Sequence, residues 1–99
     1  MNIDEVPVGE GRSLACGGEQ VAVFRLRDGS VRALGAVCPH RGGPLADGLL
    51  DDRVVVCPLH GYTYDLVTGD ETTSGGQPVR AYTATVGADG NITLDGAVP

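Results

Sequence analysis

Apolar residues in this chain fall into short alternating stretches and β-branched runs, with no helical spacing sustained beyond a turn or two. The clearest pattern runs from Val21 to Ala36 and reads as a hairpin. Its Asp28-Gly29 pair signals a two-residue type I′ turn, which needs positive φ at both central positions. That turn predicts Leu26 opposite Val31 and Phe24 opposite Ala33 on a core-facing side. The other side would set Val23 against Leu34 and Arg25 against Arg32, and two like charges keep its open end wet.

The rest of the chain follows the same grammar. Residues 1–20 read mostly as connection, with Gly9, Gly11, Gly17 and Gly18 breaking any helix and Val6, Val8 and Leu14 suited to short edge strands. Leu45–Gly48 is a tight connection, Leu49–Arg53 a strand end and turn, and Val54–Val56 a β-branched strand. Thr63–Leu66 is a strand stopped at Thr68-Gly69-Asp70, and Glu71–Pro78 a polar, Gly-rich loop. A last hairpin joins Val79–Val86 to Asn91–Leu94 through Gly87–Gly90. Many short strands at close spacing predict an all-β sandwich or barrel.

Composition narrows this picture. At 99 residues there is room for one domain with a modest core. Aromatic residues are 4% and Trp is absent, so Val, Leu, Ile and Ala must build that core. Small scaffolds of this kind are often stapled by a metal site. The net charge of −6 is spread along the chain, which suits a solvated surface or steering toward a basic partner. It argues against nucleic acid and anionic membranes as partners. No apolar run nears ~18 residues, so no membrane span is expected. The acidic start Met1-Asn2-Ile3-Asp4-Glu5 lacks the features of a signal peptide. A cytoplasmic protein is expected, where Cys beside His points to metal rather than to a disulfide.

Both histidines and two of the three cysteines lie in two matching stretches, Cys38-Pro39-His40-Arg41-Gly42 and Cys57-Pro58-Leu59-His60-Gly61. Proline after each cysteine biases that cysteine to an extended backbone, and glycine after each histidine allows close approach. Three readings compete: unrelated core residues, a zinc ion held by two thiolates and two imidazoles in an interaction module, or a two-iron centre. Cys38 and His40, two residues apart in an extended loop, point apart and close poorly on one ion. In a two-iron centre that divergence is useful, because the cysteines take one iron and the histidines the other. Cys16 has no partner nearby in sequence and reads as a small buried or turn residue.

Cys-x-His, a sixteen-residue gap, then Cys-x-x-His resembles the Rieske signature, and the similarity continues through Gly42–Gly48 and Tyr64–Gly69. The resemblance implies three antiparallel β-sheets, with a cluster-binding subdomain (36–76) inserted into a base (1–35 and 77–99). It implies one [2Fe–2S] cluster ligated by Cys38, His40, Cys57 and His60. Respiratory relatives carry two further cysteines that bridge the loops. Here Gly43 and Leu59 stand at those positions, so the match is to the disulfide-free ferredoxins of ring-hydroxylating oxygenases and to nitrite reductase small subunits. The expected role is a monomeric, non-catalytic one-electron carrier between a flavoprotein reductase and a terminal oxygenase. The alternative is a subunit serving a nitrite reductase large subunit.

Histidine ligation leaves the oxidised site neutral and places the class at roughly −150 to +300 mV. In high-potential relatives a serine and a tyrosine after the second histidine donate hydrogen bonds that raise the potential. Tyr62 occupies the serine position and Tyr64 the tyrosine position, so a potential near the lower end is expected. Thr72–Pro78 is expected to cover the cluster from a third side, with Arg41 at the exposed tip.

Overall fold

The computed structural model describes residues 1–16, 18–36, 44–51, 53–58 and 61–95, with the Cys16 side chain left aside. Among the described residues, eight strands follow a 3₁₀ turn at Ile3–Glu5: β1 (Gly11–Cys16), β2 (Glu19–Arg25), β3 (Val31–Gly35), β4 (Leu49–Leu50), β5 (Val54–Val56), β6 (Thr63–Asp65), β7 (Ala81–Val86) and β8 (Ile92–Asp95). A second 3₁₀ turn, Leu45–Asp47, precedes β4. The sheet orders are β1-β2-β3-β7-β8 and β4-β5-β6, with every pairing antiparallel. Within the five-stranded order, β7 pairs with β3 at Ala81 and Tyr82 and then with β8 from Thr83 to Val86. Two ladders thus join through one strand, and with β4-β5-β6 they make the all-β, antiparallel architecture expected.

The first hairpin differs from the expectation by one residue of register. Val23 lies opposite Ala33, Phe24 opposite Arg32 and Arg25 opposite Val31. The reason is the turn. Among the described residues no non-glycine has positive φ, so Asp28 cannot enter a type I′ turn; Gly29 alone does, at φ 90°. The Gly29 amide donates to the Leu26 carbonyl, and the Asp28 carboxylate accepts from the Ser30 amide at 2.9 Å. One extra residue is absorbed in the loop, and each opposite pair shifts.

That shift removes the expected clash of Arg25 with Arg32. Arg25 turns its guanidinium to the carbonyls of Ile3 and Val6, at 3.3 Å each. It also changes which faces are buried. Val21, Ala22, Val23 and Phe24 are all fully inaccessible, so β2 is covered on both sides. On one side Val21, Val23, Val31 and Ala33 pack with Val6 and Ile92. On the other, Ala22, Phe24 and Leu34 pack with Leu45, Val55, Cys57, Tyr64, Leu66 and Val79. This second cluster joins the two sheets.

Leu14 does lie on an edge strand, β1, whereas Val6 follows the first 3₁₀ turn and Val8 is exposed in a turn. The later strands and both connections at Leu45–Gly48 and Gly87–Gly90 fall where the pattern placed them. Among the described residues no helix is long and apolar enough to cross a membrane.

Candidate metal centre

Two chain segments begin and end at the apolar cluster between the sheets. The first leaves β3 at Ala36 and returns at Leu45, and the Leu45 amide donates to the Ala36 carbonyl at 2.8 Å. Ala36 is itself tied to β2 through its amide and the Gln20 carbonyl, at 2.9 Å. Both ends of the segment are buried, Leu45 completely. The second leaves β5 at Cys57 and returns at Tyr62. The Cys57 amide donates to the Tyr62 carbonyl at 2.7 Å, and the Gly61 amide donates to the Cys57 carbonyl at 3.0 Å. Gly61 has φ 71°, a conformation that suits glycine and closes this short loop. Each segment therefore has a stem pinned by backbone hydrogen bonds at one shared apolar cluster.

Of the four expected ligands, Cys57 lies among the described residues, at the base of the second segment and 1% exposed. Cys38, His40 and His60 lie outside the described residues, as do Gly43, Leu59 and Arg41. A Cys57 thiol on this hydrogen-bonded turn can serve as a cysteinate ligand. Two thiols and two imidazoles in this chain are also the donor set of a Rieske-type [2Fe–2S] cluster. Tyr64, the candidate hydrogen-bond donor, sits on β6 with 1% of its surface exposed, in the same buried cluster as Cys57. Tyr62 is half-buried against that cluster.

The loop after β6 is ordered by a residue the sequence reading passed over. Glu71 is buried, at 5% exposure, and its carboxylate accepts from the Ser74 amide at 2.6 Å, the Ser74 hydroxyl at 2.5 Å and the Gly76 amide at 3.1 Å. The Ser74 hydroxyl and amide, helped by the Gly76 and Thr73 amides, bring its pKa down to about 2 despite burial. Thr72 and Thr73 then reach β6: the Thr72 amide donates to the Thr63 carbonyl at 2.8 Å, and the Thr63 amide donates to the Thr73 hydroxyl at 2.9 Å. The signal available was a glutamate heading a run of Thr, Ser and Gly, a segment rich in amides and hydroxyls that can wrap an anion. Asp65, in the turn closing β6, is held below the usual carboxylate range by the Thr68 amide and then the Val67 amide.

The chain was compared with known proteins. The family model described as Rieske [2Fe-2S] domain matches residues 1–83. The anthranilate 1,2-dioxygenase ferredoxin subunit of Burkholderia cepacia is 32% identical over 94 residues, covering 94% of this chain and 85% of that protein. Other curated relatives are longer, and the chain spans 64%, 14% and 13% of three of them. Among solved structures, a Mycobacterium tuberculosis protein assigned as the small subunit of an NADH-dependent nitrite reductase superposes with TM-score 0.88 at 32% identity, covering 94% of this chain and 88% of that one. The ferredoxin of carbazole 1,9a-dioxygenase from Nocardioides aromaticivorans gives TM-score 0.85 at 30% identity, with coverages of 95% and 91%.

Proposed function

The chain belongs to the Rieske [2Fe-2S] domain family, and on that premise we propose that it is a one-electron carrier, a ferredoxin serving a multicomponent oxygenase. Cys38 and Cys57 hold one iron of the cluster, and His40 and His60 hold the other. Residues 36–76 form the cluster-binding insertion and residues 1–35 with 77–99 the base. When bound, the cluster takes up and releases one electron, and its irons are fully ligated, which leaves no open position for a substrate. The chain itself is therefore a component and not a catalyst.

The observation that supports this reading is the one buried cluster shared by the ends of the two segments. Leu45 and Cys57 stand in one buried cluster, each at a stem closed by a backbone hydrogen bond. Such stems limit ligand movement between redox states, and the buried apolar cluster keeps water from the cysteine side. A one-electron carrier needs both properties. Delivery of electrons to a terminal oxygenase is supported by relatives named as ferredoxin parts of dioxygenase systems; to this we add, as part of the proposal, a monomer in the cytoplasm reduced by a flavoprotein reductase.

The deciding experiment is the visible and EPR spectrum of iron- and sulfide-loaded protein after dithionite reduction. A rhombic signal with an average g below that of an all-cysteine cluster is expected; zinc without labile sulfide in the isolated protein would end the reading. A second reading has its own support in the TM-score of 0.88 to a structure assigned as a nitrite reductase small subunit. In that case the chain would co-purify with a large sirohaem protein rather than accept electrons from a separate reductase.

A further inference from the structure

We propose that Glu71 is a positioning residue for the stem of the second Cys/His segment: its carboxylate folds residues 71–76 onto the outer edge of β6 and so fixes the backbone of Thr63 and Tyr62 and, through it, Cys57. This rests on the electron-carrier reading above for its purpose, but not for its geometry. β6 pairs with β5 on one side only. Its other edge would stand open, with the amide and carbonyl of Thr63 and the amide of Asp65 unpaired.

Those three groups are met by the segment that Glu71 organises. The Asp65 amide donates to the Asp70 carbonyl at 2.8 Å, and the Thr72 amide donates to the Thr63 carbonyl at 2.8 Å. The Thr63 amide donates to the Thr73 hydroxyl at 2.9 Å, a side chain standing where a fourth strand would offer a carbonyl. One residue upstream, the Tyr62 carbonyl accepts from Cys57. The returning stem is therefore bonded to Cys57 on one side and to Thr72 and Thr73 on the other.

Thr72 and Thr73 also bond the Thr63 hydroxyl through their own, but Ser74-Gly75-Gly76 beyond them ends in two adjacent glycines that carry a large entropic cost of ordering. Glu71 supplies the constraint. Among the described residues it is the only buried polar or charged one. Its described partners are two amides and a hydroxyl, all neutral, arranged as a cradle for an anion. The fit is close: a Cβ at Gly76 would stand 2.9 Å from Oε1. A buried carboxylate without such donors would be costly, so the turn and the charge require each other.

The test compares Glu71→Gln and Ser74→Ala with the unaltered, cluster-loaded protein by amide hydrogen exchange and by redox midpoint. Glutamine keeps one acceptor oxygen where the carboxylate has two, so either Ser74 or Gly76 must face an NH₂ group. The amides of Thr63, Cys57 and Gly61 should then exchange roughly tenfold faster or more, while those of Val23 and Phe24 hold their rates. The midpoint should rise in Glu71→Gln, which removes a fixed negative charge, and rise less in Ser74→Ala, which keeps it. Acceleration confined to Ser74 and Gly76, with an unmoved midpoint, would reduce Glu71 to a local turn cap and overturn the proposal. If Glu71→Gln does not fold, the same amides in Ser74→Ala decide. Absence of the Rieske EPR signal from the unaltered protein sinks the ferredoxin reading separately, since the exchange comparison needs no cluster.

Discussion

The Leu45 amide donates to the Ala36 carbonyl at 2.8 Å, so the chain returns to its point of departure across residues 37–44. Leu45 also packs, with no exposed surface, in the buried cluster that contains Ala36 and Cys57, where the two Cys/His segments begin. Truncating it should therefore act on stability and on the metal centre together. Leu45→Ala should lose about 2–5 kcal/mol in denaturant unfolding. It should also lower the iron and labile sulfide bound per chain. Full stability with normal iron content would show that this buried cluster does not support the site.

Gly48 stands where β4 begins to pair with β5, and its backbone is pressed against the neighbouring strand. A Cβ there would lie 2.3 Å from the Val56 carbonyl oxygen and 2.8 Å from Val55 Cγ2. Gly48→Ala should destabilise the protein by about 1–3 kcal/mol by forcing those strands apart. Gly61→Ala meets no atom within 4 Å but must hold φ 71°, and should cost about 1–2 kcal/mol. Thermal unfolding of the two variants checks both costs. The amides of Val55 and Val56 should report the displacement only in the first.

The turn at Glu71 should loosen in acid. Its pKa is lowered from 4.5 to about 2, so the folded turn favours the ionised form. The stabilisation is complete above pH 4.5 and is lost as pH falls from there through about 2. NMR resonances of the Ser74 and Gly76 amides, followed with pH, should shift with an apparent pKa near the lower value. A midpoint close to 4.5 would mean that the carboxylate is not held as described.

Tyr64→Phe tests the hydroxyl proposed to tune the cluster. The ring is buried and its packing survives the change, so stability should fall by no more than about 0.5–1.5 kcal/mol. If the hydroxyl supports the reduced state, the redox midpoint should drop. An unchanged midpoint leaves Tyr64 as a packing residue of β6.

How far the chain could be read without its fold varies by element. Cys38, His40, Cys57 and His60 are proposed as ligands on type and spacing alone, because ligand atoms must come from particular side chains whatever surrounds them. The β-branched run Val54–Val56 and the glycine-marked connections were legible, since strand and turn preferences are local. The register of the first hairpin was not. It depended on whether Asp28 would take positive φ, and the Ser30 amide and hydroxyl, which both bond its carboxylate, decided that it would not.

Burial on both faces of β2 was hidden for a related reason. Val21–Phe24 is an apolar run, but only the strands and turns packed on either side make both of its faces interior. Glu71 is the strongest case. In the sequence it heads a polar loop and reads as solvated, yet in the fold its charge is enclosed by Ser74 and Gly76. By itself the sequence determined the strand-rich class and the family, and it supplied the ligand set proposed above. Only the folded structure decided the register, the two-sided core and the buried carboxylate: the core needs contacts between distant segments, while the register and the carboxylate turn on which side-chain hydrogen bonds a local stretch makes among several its sequence allows.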